Sequence, residues 1–288
     1  MRHNLHLLVI DPQNDFCDLP ASYLPALPDG GRAAPALPVA GAHADMQRLA
    51  RLIDAGRDGI DGISVTLDAH HRLDVAHPTF WMDGDGRPVA PFTQITAADV
   101  RAGRWLPRNP GAFGRTLAYL EALEATGRYR LMVWPVHCEI GTWGQNVHAD
   151  VRAAYNRWEE RSLGIVDKIV KGTNPWTEHY SAVMAEVPDA DDPATQLNVG
   201  FIDALLPADR VFIAGEAGSH CVKATTEHIA AQFGPARMDR LVLLTDCMSP
   251  VAGFEAQQDA FLRALLAQGA QVATSADVLP ELLANAAR

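Results

Sequence analysis

Cysteine is scarce in these 288 residues: Cys17, Cys138, Cys221 and Cys247 are scattered and none forms a CxxC pair. Four in a chain of this size make no disulfide framework, so each is read as a separate thiol. Long apolar runs are missing too. No stretch approaches the roughly 20 apolar residues that span a bilayer, and residues 1–4 pass into a short apolar run ending at Asp11 without a cleavage site. A soluble, cytoplasmic protein with no membrane partner is expected. Basic residues are outnumbered 24 to 35, for a net charge of -11, and no basic run or helical stripe is present to follow a phosphate backbone. Nucleic acid is therefore not an expected partner. There is no internal repeat and no low-complexity tract.

What is present is an alternation of short Val/Ile/Leu runs with amphipathic stretches, the pattern of a mostly parallel sheet covered by helices on both faces, an α/β fold. The strand candidates are residues 5–10, 62–67, 130–134 or 165–170, 211–214, 241–245 and 271–273. The helix candidates are residues 42–55, 115–126, 146–161, 220–232 and 254–268. Two regions, 21–38 and about 79–110, carry Pro and Gly without a clean period. They read as surface excursions, because the alternation resumes after each.

Ligands of open α/β sheets bind beyond the carboxyl ends of the strands, so polar residues just after a strand draw attention. Five such places occur: Asp11, Asp68 with His70, His137, Lys171, and residues 215–221. Cys221 follows a strand and a small-residue turn at the start of a helix, where the helix dipole and free N–H groups favour a thiolate and can hold an oxyanion. By itself this leaves Cys221 evenly balanced between a nucleophile and a small buried hydrophobe. Asp11 at a strand end can take a thiol proton, or can simply cap a turn. Lys171 can hold carboxylate and thiolate together, though a single strand-end lysine is usually only solvated. Asp68 and His70, two residues apart on an extended segment, point the same way and with a third ligand can hold Zn, Mn or Fe; an ordinary hydrogen-bonded loop fits the same two residues.

Four segments together carry a resemblance: Asp11-Pro12-Gln13-Asn14-Asp15-Phe16-Cys17; Trp134-Pro135-Val136-His137-Cys138 with Gly141-Thr142-Trp143 after it; Lys171-Gly172 followed by Tyr180-Ser181-Ala182; and Gly215-Glu216-Ala217-Gly218-Ser219-His220-Cys221-Val222. In kind and order they are similar to those of nicotinamidases in the isochorismatase-like cysteine hydrolase family, over nearly the whole chain. The resemblance implies one three-layer α/β/α, Rossmann-like domain over residues 1–288, with a central, mostly parallel sheet of about six strands and an insertion at about 79–110. It implies Asp11, Lys171 and Cys221 as catalytic residues, a cis peptide between Glu216 and Ala217, and an oxyanion hole from the N–H groups of Ala217 and Cys221. Asp68, His70 and His137 are the implied metal ligands, with His77 a further candidate, for one divalent transition metal: Zn, with Mn or Fe as alternatives. Phe16, Trp134 and Tyr180 are the aromatic residues placed to stack on a flat substrate; core packing explains each equally well.

The implied activity is carboxamide hydrolysis through a thioester, nicotinamide to nicotinate in NAD salvage. The rivals are another aromatic amide, a ureido or carbamoyl compound, or a silent binding homologue. The expected partner is a small-molecule amide, and further copies of the chain are left open. Two departures stand out: Ser219 where relatives commonly carry Asp, and a 79–110 segment long enough to lie over the mouth of the site.

Overall fold

The computed structural model describes residues 2–287; Met1 and Arg288, included in the single domain expected over 1–288, lie outside the described residues. Among the described residues ten strands are formed: β1 (Leu5–Ile10), β2 (Gly62–Asp68), β3 (Trp81–Asp83), β4 (Thr93–Ile95), β5 (Trp105–Pro107), β6 (Leu131–Val133), β7 (Asp167–Lys171), β8 (Arg210–Gly215), β9 (Leu241–Leu244) and β10 (Gln271–Ala273). The helices are α1 (Ala42–Gly56), α2 (Ala97–Arg101), α3 (Phe113–Ala125), α4 (Ala149–Ser162), α5 (Val199–Leu205), α6 (Cys221–Phe233), α7 (Glu255–Ala267) and α8 (Ser275–Ala286).

Six strands make one parallel sheet in the order β10-β9-β8-β1-β2-β7. The expected six-strand α/β architecture is present. Between the two alternatives for the third strand, residues 165–170 supply the one in the central sheet, as the edge strand β7, whereas Leu131–Val133 pairs antiparallel with β4 outside it. The continuous apolar run of β1 is explained by its place: all six residues are buried between two neighbours and two helical layers.

From β1 the chain steps one way to β2, and from β8 it steps the other way to β9 and β10. Right-handed crossovers running in opposite directions put their helices on opposite faces. Accordingly α1 packs with α4 and α8, while α6 packs with α7 and β8. The reversal falls between β1 and β8, so the crevice of the sheet opens beyond Ile10 and Gly215, which face each other in register. Gly215 is obligatory there: its φ is +123°, and a Cβ would lie 1.9 Å from the Ile10 carbonyl oxygen.

The 79–110 segment does not drape over the site. With α3 and β6 it builds a second apolar core of its own, centred on Trp81, Ile95, Val100, Leu120 and Val133. Its approach to the crevice is through Phe92, whose ring meets Trp134 edge-on at 5.9 Å.

Candidate active site

Register places the polar strand ends against one another. Asp68 pairs with Lys171 across β2 and β7, and Asp11, one residue past β1, donates its N–H to the Thr66 carbonyl. The motif after β1 ties the surrounding loops to this point. The Gln13 side chain both accepts from the Asp68 N–H at 2.7 Å and donates to the Asp68 carbonyl at 2.7 Å. Asn14 donates to the Trp143 carbonyl, and Asp15 accepts from the N–H groups of Cys138 and Ala36. These residues position segments from distant parts of the chain; they are not themselves at the reacting centre.

Lys171 is fully buried, and its ammonium donates to Asp68 Oδ1 at 3.0 Å, to the His179 carbonyl at 3.0 Å and to Cys221 Sγ at 3.7 Å. Three donors are thereby used. Asp11 Oδ2 forms an ion pair with the same ammonium at 2.9 Å, and Thr66 donates to Asp11 Oδ1 at 2.5 Å. The same carboxylate lies close enough to Cys221 to raise its thiol, which puts it within reach of the thiol proton. Burial raises the Asp11 carboxyl above its ordinary range against the pull of Lys171. Burial also pushes the Cys221 thiol well up, with Lys171 drawing it down and Asp11 and Asp68 adding to the rise. Burial alone would lower Lys171, but Asp11 and Asp68 hold it well above its usual value. The resting arrangement is thus a thiol beside a basic carboxylate and a fixed positive charge.

Cys221 opens α6, and the Glu216–Ala217 peptide ahead of it is cis. Among the described residues the N–H groups of Ala217 and Cys221 have no acceptor, which leaves two donors at a helix start beside the sulfur. Cys17 and Cys138 are also buried with raised thiols, but neither lines the cavity that Cys221 faces.

Asp68 turns its other oxygen to a cluster of imidazoles. Its Oδ2 is 3.0 Å from His70 Nε2 and 3.4 Å from His137 Nε2. His70, His77 and His137 are buried with potential ligand atoms within 4.8 Å of one another. In each ring Nδ1 is tied to an oxygen: His70 to Asp74 at 3.0 Å, His77 to the His71 carbonyl at 3.2 Å and His137 to the Pro135 carbonyl at 2.8 Å. A carbonyl can only accept, so Nδ1 of His77 and His137 carries the proton and Nε2 presents a lone pair, the arrangement of metal-bound histidines. Burial holds His77 down to about 2, so its ring stays neutral. Burial would lower His70 as well, but Asp68 and Asp74 hold it well above the usual range. The donor set fits a divalent metal, and His77, named from the sequence only as a further candidate, stands within it.

The cavity over Cys221 brings together Phe16, Trp134 and Tyr180 with Asp68, His137 and Ala217. Trp134 Nε1 donates to Tyr180 Oη at 3.1 Å, fixing both rings. Leu37, Glu178, His220 and Val251 also line it and were not singled out from the sequence. Glu178 lies inside the Lys171–Ala182 segment and His220 next to Cys221, so proximity to matched residues was the signal available. Leu37 and Val251 come from loops with none. Glu178 is buried with one oxygen unpartnered, and burial raises it to about 7. Ser219 Oγ is 2.9 Å from His220 Nδ1 and accepts from the Val251 N–H, so in place of an acid it fixes the His220 ring and the loop beyond.

No protein-family profile matches the chain, and no curated protein matches it by sequence. Solved structures do match in fold. A nicotinamidase/pyrazinamidase from Acinetobacter baumanii is 19% identical over 96% of this chain and 98% of that one, with a TM-score of 0.61. The yeast nicotinamidase Pnc1p is 21% identical over 93% and 98%, TM-score 0.59. The pyrazinamidase of Pyrococcus horikoshii, solved in complex with zinc, is 17% identical over 94% and 99%, TM-score 0.52. Nearly the whole of each chain is covered, and the fold of these structures is the fold of this chain.

Proposed function

We propose that the chain is a cysteine amidohydrolase of the nicotinamidase type, releasing ammonia from a small aromatic carboxamide, nicotinamide to nicotinate. The observation that carries this reading is the buried Asp11–Lys171 ion pair at 2.9 Å, whose ammonium is itself 3.7 Å from Cys221 Sγ. The nicotinamidase and pyrazinamidase structures that share the fold support the choice of amide.

In this mechanism Asp11 takes the Cys221 proton and the sulfur attacks the carbonyl carbon, with Lys171 compensating the negative charge that develops. The N–H groups of Ala217 and Cys221 hold the carbonyl oxygen as it becomes negative. Asp11 returns the proton to the amide nitrogen, the C–N bond breaks and ammonia leaves a thioester. Water, relieved of a proton by Asp11, then attacks the thioester carbon and frees the acid and the thiol. Phe16, Trp134 and Tyr180 orient a flat ring. Asp68, His70, His77 and His137 would hold the metal, zinc by analogy with the zinc complex of the Pyrococcus structure. When bound it supplies a Lewis acid for a ring nitrogen.

Ammonia release from nicotinamide and from benzamide, which lacks the ring nitrogen, tests the reading. Nicotinamide should be favoured in kcat/KM by roughly tenfold or more, about 1.4 kcal/mol. Cys221→Ala should abolish release from both while leaving the thermal transition intact. Equal rates on the two amides would remove the ring-nitrogen assignment, and turnover by Cys221→Ala would remove the mechanism.

A further inference from the structure

Tyr180 and His220 form a wall with a cavity on each side. One is the catalytic cavity; the other is lined on its far side by Arg128, Arg130, Lys223 and Phe254. This second cavity is positive. Arg128 pairs with Glu186 at 3.2 Å and Glu227 at 3.0 Å, and Lys223 pairs with the same Glu227 at 3.1 Å. Arg130 has no hydrogen bond or ion pair from its side chain among the described residues. Three cations thus share two carboxylates, and neither carboxylate lines the cavity. Burial raises Glu186 to about 7, which thins the negative side further. Tyr129, in the same lining, meets Tyr180 at a tilt with 4.9 Å between ring centres and packs its ring against Lys223 and Arg128, so that aromatic and cationic groups alternate there.

The catalytic cavity is of mixed charge: the carboxyl groups of Asp68 and Glu178 line it, and the Lys171 ammonium sits on Asp68. An amide enters it neutral. The acid formed from it carries a negative charge that Arg128, Arg130 and Lys223 attract, and attraction of this kind acts through a thin wall of side chains.

We propose that the second cavity is a binding site for a small aromatic carboxylate, the class of acid released next door. The identification of the ligand's source rests on the amidohydrolase reading; the site itself rests on the cations and the shared wall.

The test is a calorimetric titration of benzoate, which has the carboxylate and ring without a metal-binding nitrogen, into the full chain. The Arg130→Gln/Lys223→Gln double variant should bind benzoate roughly tenfold more weakly, while kcat/KM for a neutral amide stays within about twofold. Binding should persist after iodoacetamide has blocked Cys221 and its cavity, and should weaken with added NaCl. Unchanged affinity in the double variant, loss of binding on alkylation, or equal competition by inorganic phosphate would each overturn the proposal. Benzoate binding through Arg130 and Lys223 in a protein that hydrolyses no carboxamide would uphold the site and discard the amidohydrolase reading instead.

Discussion

The two ends of the parallel sheet are built from the same kinds of residue and treat them differently. At the amino end, polar groups close on one another. Asp61 accepts from the Leu5 N–H and the Arg2 side chain, Asp209 accepts from the Asn4 N–H, and the buried Asn285 amide bridges both backbone groups of His3 and the Gly59 carbonyl. The one unpartnered buried atom there, among the described residues, is Arg210 Nε. At the carboxyl end, Glu178, His179 and Glu216 each keep a buried atom without a partner. Unpaired buried polar atoms cost about 1–3 kcal/mol each, so this end gives up stability that the other end retains. What it retains in exchange is unsatisfied hydrogen-bonding capacity, which is what a substrate needs.

Three substitutions sharpen that contrast. The largest effect is expected from Lys171→Met, which leaves Asp11 and Asp68 buried without their counter-charge. It should cost about 3–5 kcal/mol in urea unfolding as well as activity. A loss below about 1 kcal/mol would mean that the carboxylates are protonated or hydrated and that the charge network described here is not the native one.

Next comes pH, read at the amino end, where burial lowers His6 from 6.5 to about 4 and its Nε2 lies 2.9 Å from Ser64 Oγ. Between these values the unfolded chain takes up a proton that the folded chain refuses. Stability is therefore complete above about pH 6.5 and is lost as the pH falls toward 4, by up to about 3 kcal/mol from this residue. His6→Gln should flatten that part of the stability profile, and an unchanged slope would assign it to other groups. The smallest effect is Asn285→Ala, about 2 kcal/mol of stability for the groups it leaves unpaired, with kcat unaltered. A change in kcat would show that the two ends are coupled.

The legibility of this chain followed from how local each signal is. β1 and β8 read directly as strands because burial on both faces requires apolar runs, here Leu7–Ile10 and Val211–Ala214. β7 was one of two alternatives because an edge strand exposes Asp167, Lys168 and Val170 and blurs the pattern. α8 escaped notice because Pro280 lies inside it, which ordinarily breaks a helix. A reciprocal cap between Thr274 and Asp277 holds its start, and Val278 and Leu282 are buried beyond it. At the site, residues at strand ends were visible because the fold type dictates where ligands lie. Leu37 and Val251 were not, since loop closure alone carries them to the cavity. The place of 79–110, left open in the sequence between covering the site and packing elsewhere, depends on distant partners: its apolar residues meet α3 and β6 and form a separate core.

Asp68 accepts from Lys171 with one oxygen and faces two imidazoles with the other, and its backbone is clamped on both sides by Gln13. Two assemblies that would otherwise be free to change independently are therefore welded at one carboxylate. Substitutions on the lysine side and on the histidine side should be non-additive in any double-mutant cycle that includes both.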